Sequence, residues 1–133
     1  VMAPAAADTI FTHLNNLKLS PDYYDLILTG DLGIYGKEIL KDYMKDNYNI
    51  VLDNYDDCGA MLYDLEKQKE ITAGGSGPVC SALVNYGYIY DMLKKKSFKR
   101  VLFVTTGALF SQTFLFQKQD ILAIAHAVSM EVL

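Results

Sequence analysis

The chain has 133 residues, of which 51% are apolar, and a net charge of −4 from 12 Lys+Arg against 16 Asp+Glu; that is enough for one domain with a core and too little for two. Charged residues at 21%, aromatic residues at 12% and the lack of a Pro, Ser or Gln tract exclude a disordered tail, and no apolar run nears the roughly 20 residues of a bilayer span. The acidic balance argues against nucleic acid as a partner, because a phosphate backbone is met by a basic face.

Pro4 stands in the first turn of a predicted helix over 4–19, where Ala5, Ala6, Ala7, Ile10, Phe11, Leu14 and Leu17 keep helical spacing until Ser20-Pro21-Asp22. Tyr24 to Thr29 is a short apolar run closed by Gly30-Asp31 and reads as a buried strand. Helical spacing returns at Ile34, Ile39, Leu40, Tyr43 and Met44. Ile50-Val51-Leu52 and Ala60-Met61-Leu62-Tyr63 are strand candidates, with 53–59 as the loop between them. A glycine loop, Thr72-Ala73-Gly74-Gly75-Ser76-Gly77-Pro78, leads into a predicted helix over 79–96. Its apolar stripe is Val79, Ala82, Leu83, Tyr86, Ile89, Tyr90 and Leu93, with Val84 and Gly87 opposite. Strands are predicted at 101–106 and 121–132, joined by the aromatic-rich connection 110–120. Strands apolar on both faces belong to a sheet covered on both sides. The expectation is an α/β layer of mixed strand direction, with three helices on one face and a missing or symmetry-related partner layer on the other.

Several residues could carry chemistry. The glycine loop fits a turn that lets a backbone approach a ligand, with free N–H groups at the following helix start to meet a carboxylate or phosphate; a purely structural strand-to-helix turn is equally open. It is neither a dinucleotide fingerprint, since Cys80 stands at the third glycine position, nor a P-loop, and no cofactor is expected. Cys80, in the first turn, would have its thiol pKa lowered by the helix dipole, although a packing residue is the preferred reading. His126 reads as a buried, hydrogen-bonded core histidine rather than a general base, and His13 as solvated. Cys58 beside Asp56 and Asp57 makes a poor metal site, because neighbours on an extended segment point to opposite faces. Asp31 follows the first strand at its carboxyl end, where open α/β sheets bind ligands; a helix N-cap is the alternative. Two cysteines form no disulfide framework, which points to a reducing, intracellular compartment. The opening Val1, without a signal-type stretch, suggests a piece of a longer chain.

The segments TGDLGIYGKEIL (29–40), DDCGAML (56–62), AGGSGPVCSALVNYG (73–87), KRVLFVTTGALFS (99–111) and IAHAVSMEV (124–132) together resemble the stage V sporulation protein AD family, in order and over nearly the whole chain. The resemblance implies a thiolase-like fold of two similar halves, with residues 1–133 as the carboxyl-terminal half. The thiolase catalytic turns correspond to Gly75-Ser76-Gly77-Pro78 and Thr105-Thr106-Gly107, without the family's histidine and cysteine, so no catalysis is expected. A binding protein for dipicolinic acid, taken up into the developing bacterial spore, is implied instead. An acyl-processing enzyme completed by the other half is the alternative. The implied ligand-binding positions are Gly75, Ser76, Gly77, Thr106, Gly107, Asp31 and Leu32, with His126 a further contact and no metal ligand. The implied partners are dipicolinic acid with calcium, other stage V sporulation A membrane proteins, the amino-terminal half and a second copy, at a location peripheral to the spore inner membrane.

Overall fold

The computed structural model describes residues 1–133. Helix α1 (Met2–Leu17) buries Ala3, Ala6, Ala7, Ile10 and Leu14, a stripe at three- and four-residue steps. It stops at Lys18, whose left-handed backbone (φ 54) lets its N–H close the last turn. Pro4 is tolerated because the first N–H groups of a helix have no partner within it. A 3₁₀ turn, Pro21–Tyr23, leads into strand β1 (Leu26–Thr29), two residues shorter than the predicted strand. Helix α2 (Gly33–Tyr48) follows.

Strand β2 is Tyr55–Asp57 and helix α3 is Cys58–Met61. Both differ from the sequence reading, which places strands at 50–52 and 60–63 and a loop where β2 runs. The reason is tertiary: the polar Tyr55-Asp56-Asp57 pairs in parallel register with Ile27, Leu28 and Thr29, and the Asp57 carboxylate then caps α3 by accepting the Ala60 N–H. The expected central helix is a single helical run in three parts, α4 (Pro78–Leu83), a π-helical stretch over Val84–Ile89, and α5 (Tyr90–Lys94). Strand β3 (Arg100–Leu109), a short helix α6 (Gln112–Phe116) and strand β4 (Leu122–Glu131) complete the chain.

The sheet order is β2-β1-β3-β4, with β1 parallel to both β2 and β3, and β3 antiparallel to β4. This is the mixed α/β sheet expected of a thiolase-like half. The helices, however, divide between its faces. Against one face α1 and α2 enclose Ile10, Leu14, Ile27, Leu40, Met44, Leu102 and Val104. On the other, the central helical run covers Leu28 and Val101 with Cys80, Val84 and Ile89. The second face is therefore partly covered from within the chain. What stays open is its far side, where Leu122, Ile124 and Val128 of β4 are exposed.

The stripe expected on the central helix is divided: its Ile89 and Leu93 pack on the sheet side, while its other large members turn away. Val79, Leu83, Tyr86 and Tyr90 are exposed, Tyr86 at 82%, while Val84, from the side taken as secondary, is buried with Cys80 and Ile89. Both sides of this helix are apolar, and the sheet takes the side that carries Cys80, Val84 and Ile89.

Candidate functional site

The carboxyl end of β1 lies beside the middle of β3, with Thr29 paired to Val104, and β3 runs on to Leu109 paired with β4 alone. Just beyond the end of β1, Gly30 and Asp31 face Thr105, Thr106 and Gly107 across a depression of about 420 Å³, closed by Pro78 and Ser81 of α4. The crevice arises because β1 stops and its chain turns away into α2 while β3 runs on beside the space it leaves. Asp31 holds the crevice together. Its Oδ2 accepts the Gly77 N–H at 2.8 Å, and its Oδ1 accepts the Thr106 hydroxyl at 3.4 Å. Asp31 is thus not the N-cap of α2.

That cap comes from Asp57, which is fully buried and accepts four hydrogen bonds: from the Thr29 hydroxyl at 2.7 Å, from the Leu32 and Gly33 N–H groups at 2.9 Å each, and from the Ala60 N–H at 3.1 Å. A carboxylate has about four lone-pair sites, so Asp57 closes the starts of α2 and α3 at once. Because Thr29 donates to Asp57, Tyr55 is the donor to the Thr29 oxygen, at 2.8 Å. Burial holds the Tyr55 hydroxyl far above its ordinary pKa, which keeps that donor in place.

The glycine loop packs backbone against backbone. Gly75 N–H donates to the Gly59 carbonyl at 2.7 Å and Ile34 N–H to the Ala73 carbonyl at 3.0 Å. A Cβ on Gly59 would stand 2.3 Å from the Gly75 carbonyl oxygen, so this crossing admits only glycine. Gly75 itself lies against the Cys80 sulfur, which a Cβ would meet at 2.7 Å. Burial, with Asp31 and Asp57 nearby, pushes the Cys80 thiol up, the reverse of the shift expected from a helix dipole. Burial also raises Cys58, to about 12. Both thiols are packing groups. Asp56, Asp57 and Cys58 do not converge: Asp56 pairs with Lys37 at 2.7 Å, and Asp57 points into the helix starts.

Of the positions implied by the resemblance, Asp31, Thr106 and Gly107 line the crevice, and Gly77 is bonded to Asp31. Gly75 is buried in the backbone crossing, Ser76 is exposed, and Leu32 packs toward the α1–α2 core. His126 is exposed in β4 opposite Thr105 and lines no part of the crevice; the buried core histidine expected there is absent because β4 turns that face outward. His13, read as solvated, bonds the buried Tyr24 hydroxyl at 2.6 Å, and burial lowers its pKa. Sequence reasoning missed Gly30 and Ser81 as lining residues, and named Thr105 only as part of its turn. The signal for Gly30 and Ser81 is their position, one residue past the end of β1 and one turn into α4.

A second groove of about 340 Å³, lined mainly by apolar residues, runs between the central helix and the β3–β4 face, past Tyr86, Tyr90, Leu93, Phe103 and Met130. No helix is long and apolar enough to cross a membrane.

The family model described as Stage V sporulation protein AD (SpoVAD) matches residues 1–131. The Stage V sporulation protein AD of Bacillus subtilis (strain 168) is 48% identical over 130 residues, which make up 98% of this chain and 38% of that protein. The chain thus spans about two-fifths of the length of the curated relative it matches. With the family model matching nearly the whole chain, a mixed sheet as expected and three of the five family-like segments lining one crevice, the chain belongs to the SpoVAD family of sporulation proteins.

Proposed function

We propose that this chain forms one wall of a non-catalytic binding site for dipicolinic acid, within a longer protein that serves its uptake into the developing spore. The observation that carries the reading is the crevice beyond the end of β1 and alongside β3, where Asp31, Thr106 and Gly107 meet beside the glycine loop. Thr105, Thr106 and Ser81 belong to its lining; the Thr106 hydroxyl faces Asp31 and the Ser81 hydroxyl donates to the Pro78 carbonyl, and a hydroxyl so placed can accept from a protonated carboxyl or give up its present acceptor to donate to a carboxylate. Pro78, Met2 and Ala108 offer apolar surface to a flat ring. Calcium is the proposed companion of the ligand, the amino-terminal half is the other wall, and the stage V sporulation A membrane proteins hold the assembly beside the spore inner membrane.

Binding without catalysis is supported by the side chains at the crevice. Its lining has hydroxyls and one carboxylate, and no imidazole or thiol. Both cysteines are buried with raised pKa values, a poor state for a nucleophile, which reacts as thiolate. Calorimetric titration of dipicolinate, with and without Ca²⁺, into this chain and into the full-length protein tests the reading. Saturable one-to-one binding to the full-length protein that Thr106→Val weakens is expected; no heat in any condition overturns it. A stoichiometric covalent adduct after incubation of the full-length protein with acyl-CoA would replace it with the acyl-processing alternative.

A further inference from the structure

The crevice carries one charged side chain, Asp31, and no Lys, Arg or His. That carboxylate already holds the Gly77 N–H at 2.8 Å and faces the Thr106 hydroxyl at 3.4 Å. An acid entering from solvent meets a like charge, and two of the donors it needs are engaged. Repulsion between two carboxylates a few ångströms apart is several times stronger at a partly enclosed protein surface than in water. The arrangement is that of a site filled by its own anion.

On the reading of this crevice as a carboxylate site, we propose that Asp31 is an internal competitor: a ligand carboxylate binds by taking Gly77 and Thr106 from it, and Asp31 thereby sets affinity and selects against negative charge. Asp31→Asn separates this role from a structural one. The amide oxygen still accepts the Gly77 N–H, so the loop stays tied to β1, while the charge is gone. Asp31→Ser serves as a second, smaller neutral variant. The probes are dipicolinate and its neutral relative pyridine-2,6-dicarboxamide, titrated into the full-length protein at one ionic strength.

Both neutral variants are expected to bind dipicolinate about tenfold tighter or more than the unaltered protein, with the diamide changed far less. Thr106→Val should cost more affinity in the Asp31→Asn background, where the hydroxyl is free for the ligand, than in the unaltered protein. If the protein binds dipicolinate and neither variant binds it more tightly, Asp31 is not a competitor, and the functional reading stands without it. If dipicolinate binds no form of the protein, the functional reading and this one fall together.

Discussion

Asp57 shows how a single side chain can tie three elements together. It is the last residue of β2, it stands beside Thr29 in the parallel register, and it accepts the first N–H groups of both α2 and α3. Asp57→Ala would leave four donors unmet, three of them backbone N–H groups. Unmet buried donors cost about 1–3 kcal/mol each when they cannot reach water, so a loss of roughly 3 kcal/mol or more in urea-denaturation free energy is expected. A loss below about 1 kcal/mol would mean that water replaces the carboxylate. His13 makes a second prediction. Burial lowers its pKa below the ordinary 6.5, so the unfolded chain binds the proton more readily than the folded one. Its share of stability is complete above the ordinary value and is lost as pH falls from there toward the lowered one. Thermal melts between pH 7.5 and 5.5 should show a steeper decline for the unaltered chain than for His13→Gln; parallel profiles would remove His13 from the balance. Neither role was legible in the sequence. A cap supplied by a neighbouring strand has no local spacing to betray it, and His13 meets Tyr24 only because the chain folds back after α1.

At the scale of elements, the central helix is the most informative. Its run from Pro78 to Lys94 was legible from the glycine loop and the lysines at its end, as were α1 and α2 from their periodicity and β1, β3 and β4 from their apolar runs. Which members of its apolar stripe the sheet would take, beyond Ile89 and Leu93, was not. Both sides are apolar, and the period alone cannot tell them apart. β2 escaped notice because three polar-rich residues lack any strand pattern; their partner in β1 decides their conformation. The crevice was half legible: Asp31 and the glycine loop with Gly77 follow from turns at strand and helix ends, the Thr105-Thr106-Gly107 turn came from the family resemblance, and Ser81 enters only through the packing of α4 beside β1 and β3. Gly87 lies in the π-helical stretch, exposed, with nothing within 4 Å of a Cβ placed on it. Gly87→Ala should therefore stabilise this chain by about 0.5–1 kcal/mol in denaturation, through the smaller backbone entropy of alanine when unfolded. In the full-length protein the gain should shrink or reverse if the amino-terminal half packs closely on this side. An equal gain in both would show that the surface around Gly87 stays open.

For the whole molecule, two apolar surfaces adjoin on the same side of the sheet. Leu83, Tyr86 and Tyr90 project from the central helix, and Leu122, Ile124 and Val128 from β4, all exposed, with the apolar groove between them. β4 is moreover an edge strand of ten residues with a single partner, β3, and carries no proline. Its outward face is interrupted by only one polar residue, His126. Long, regular edges with an apolar face are templates for pairing with another chain unless a charge or a bulge blocks them, and apolar surface of this extent is seldom left in water by a monomer. The isolated chain should therefore self-associate. Sedimentation over a hundredfold range of concentration is expected to show mass rising with concentration, and Ile124→Lys with Val128→Lys to restore a monomer while leaving the far-UV circular dichroism unchanged, because both side chains point away from the α1–α2 core. A clean monomer at the highest concentration would mean that the groove and the β4 face tolerate water as they stand. Self-association that persists in the double-lysine variant would move the contact to the exposed tip of the β3–β4 hairpin, where Phe110 and Phe116 stand free of the sheet.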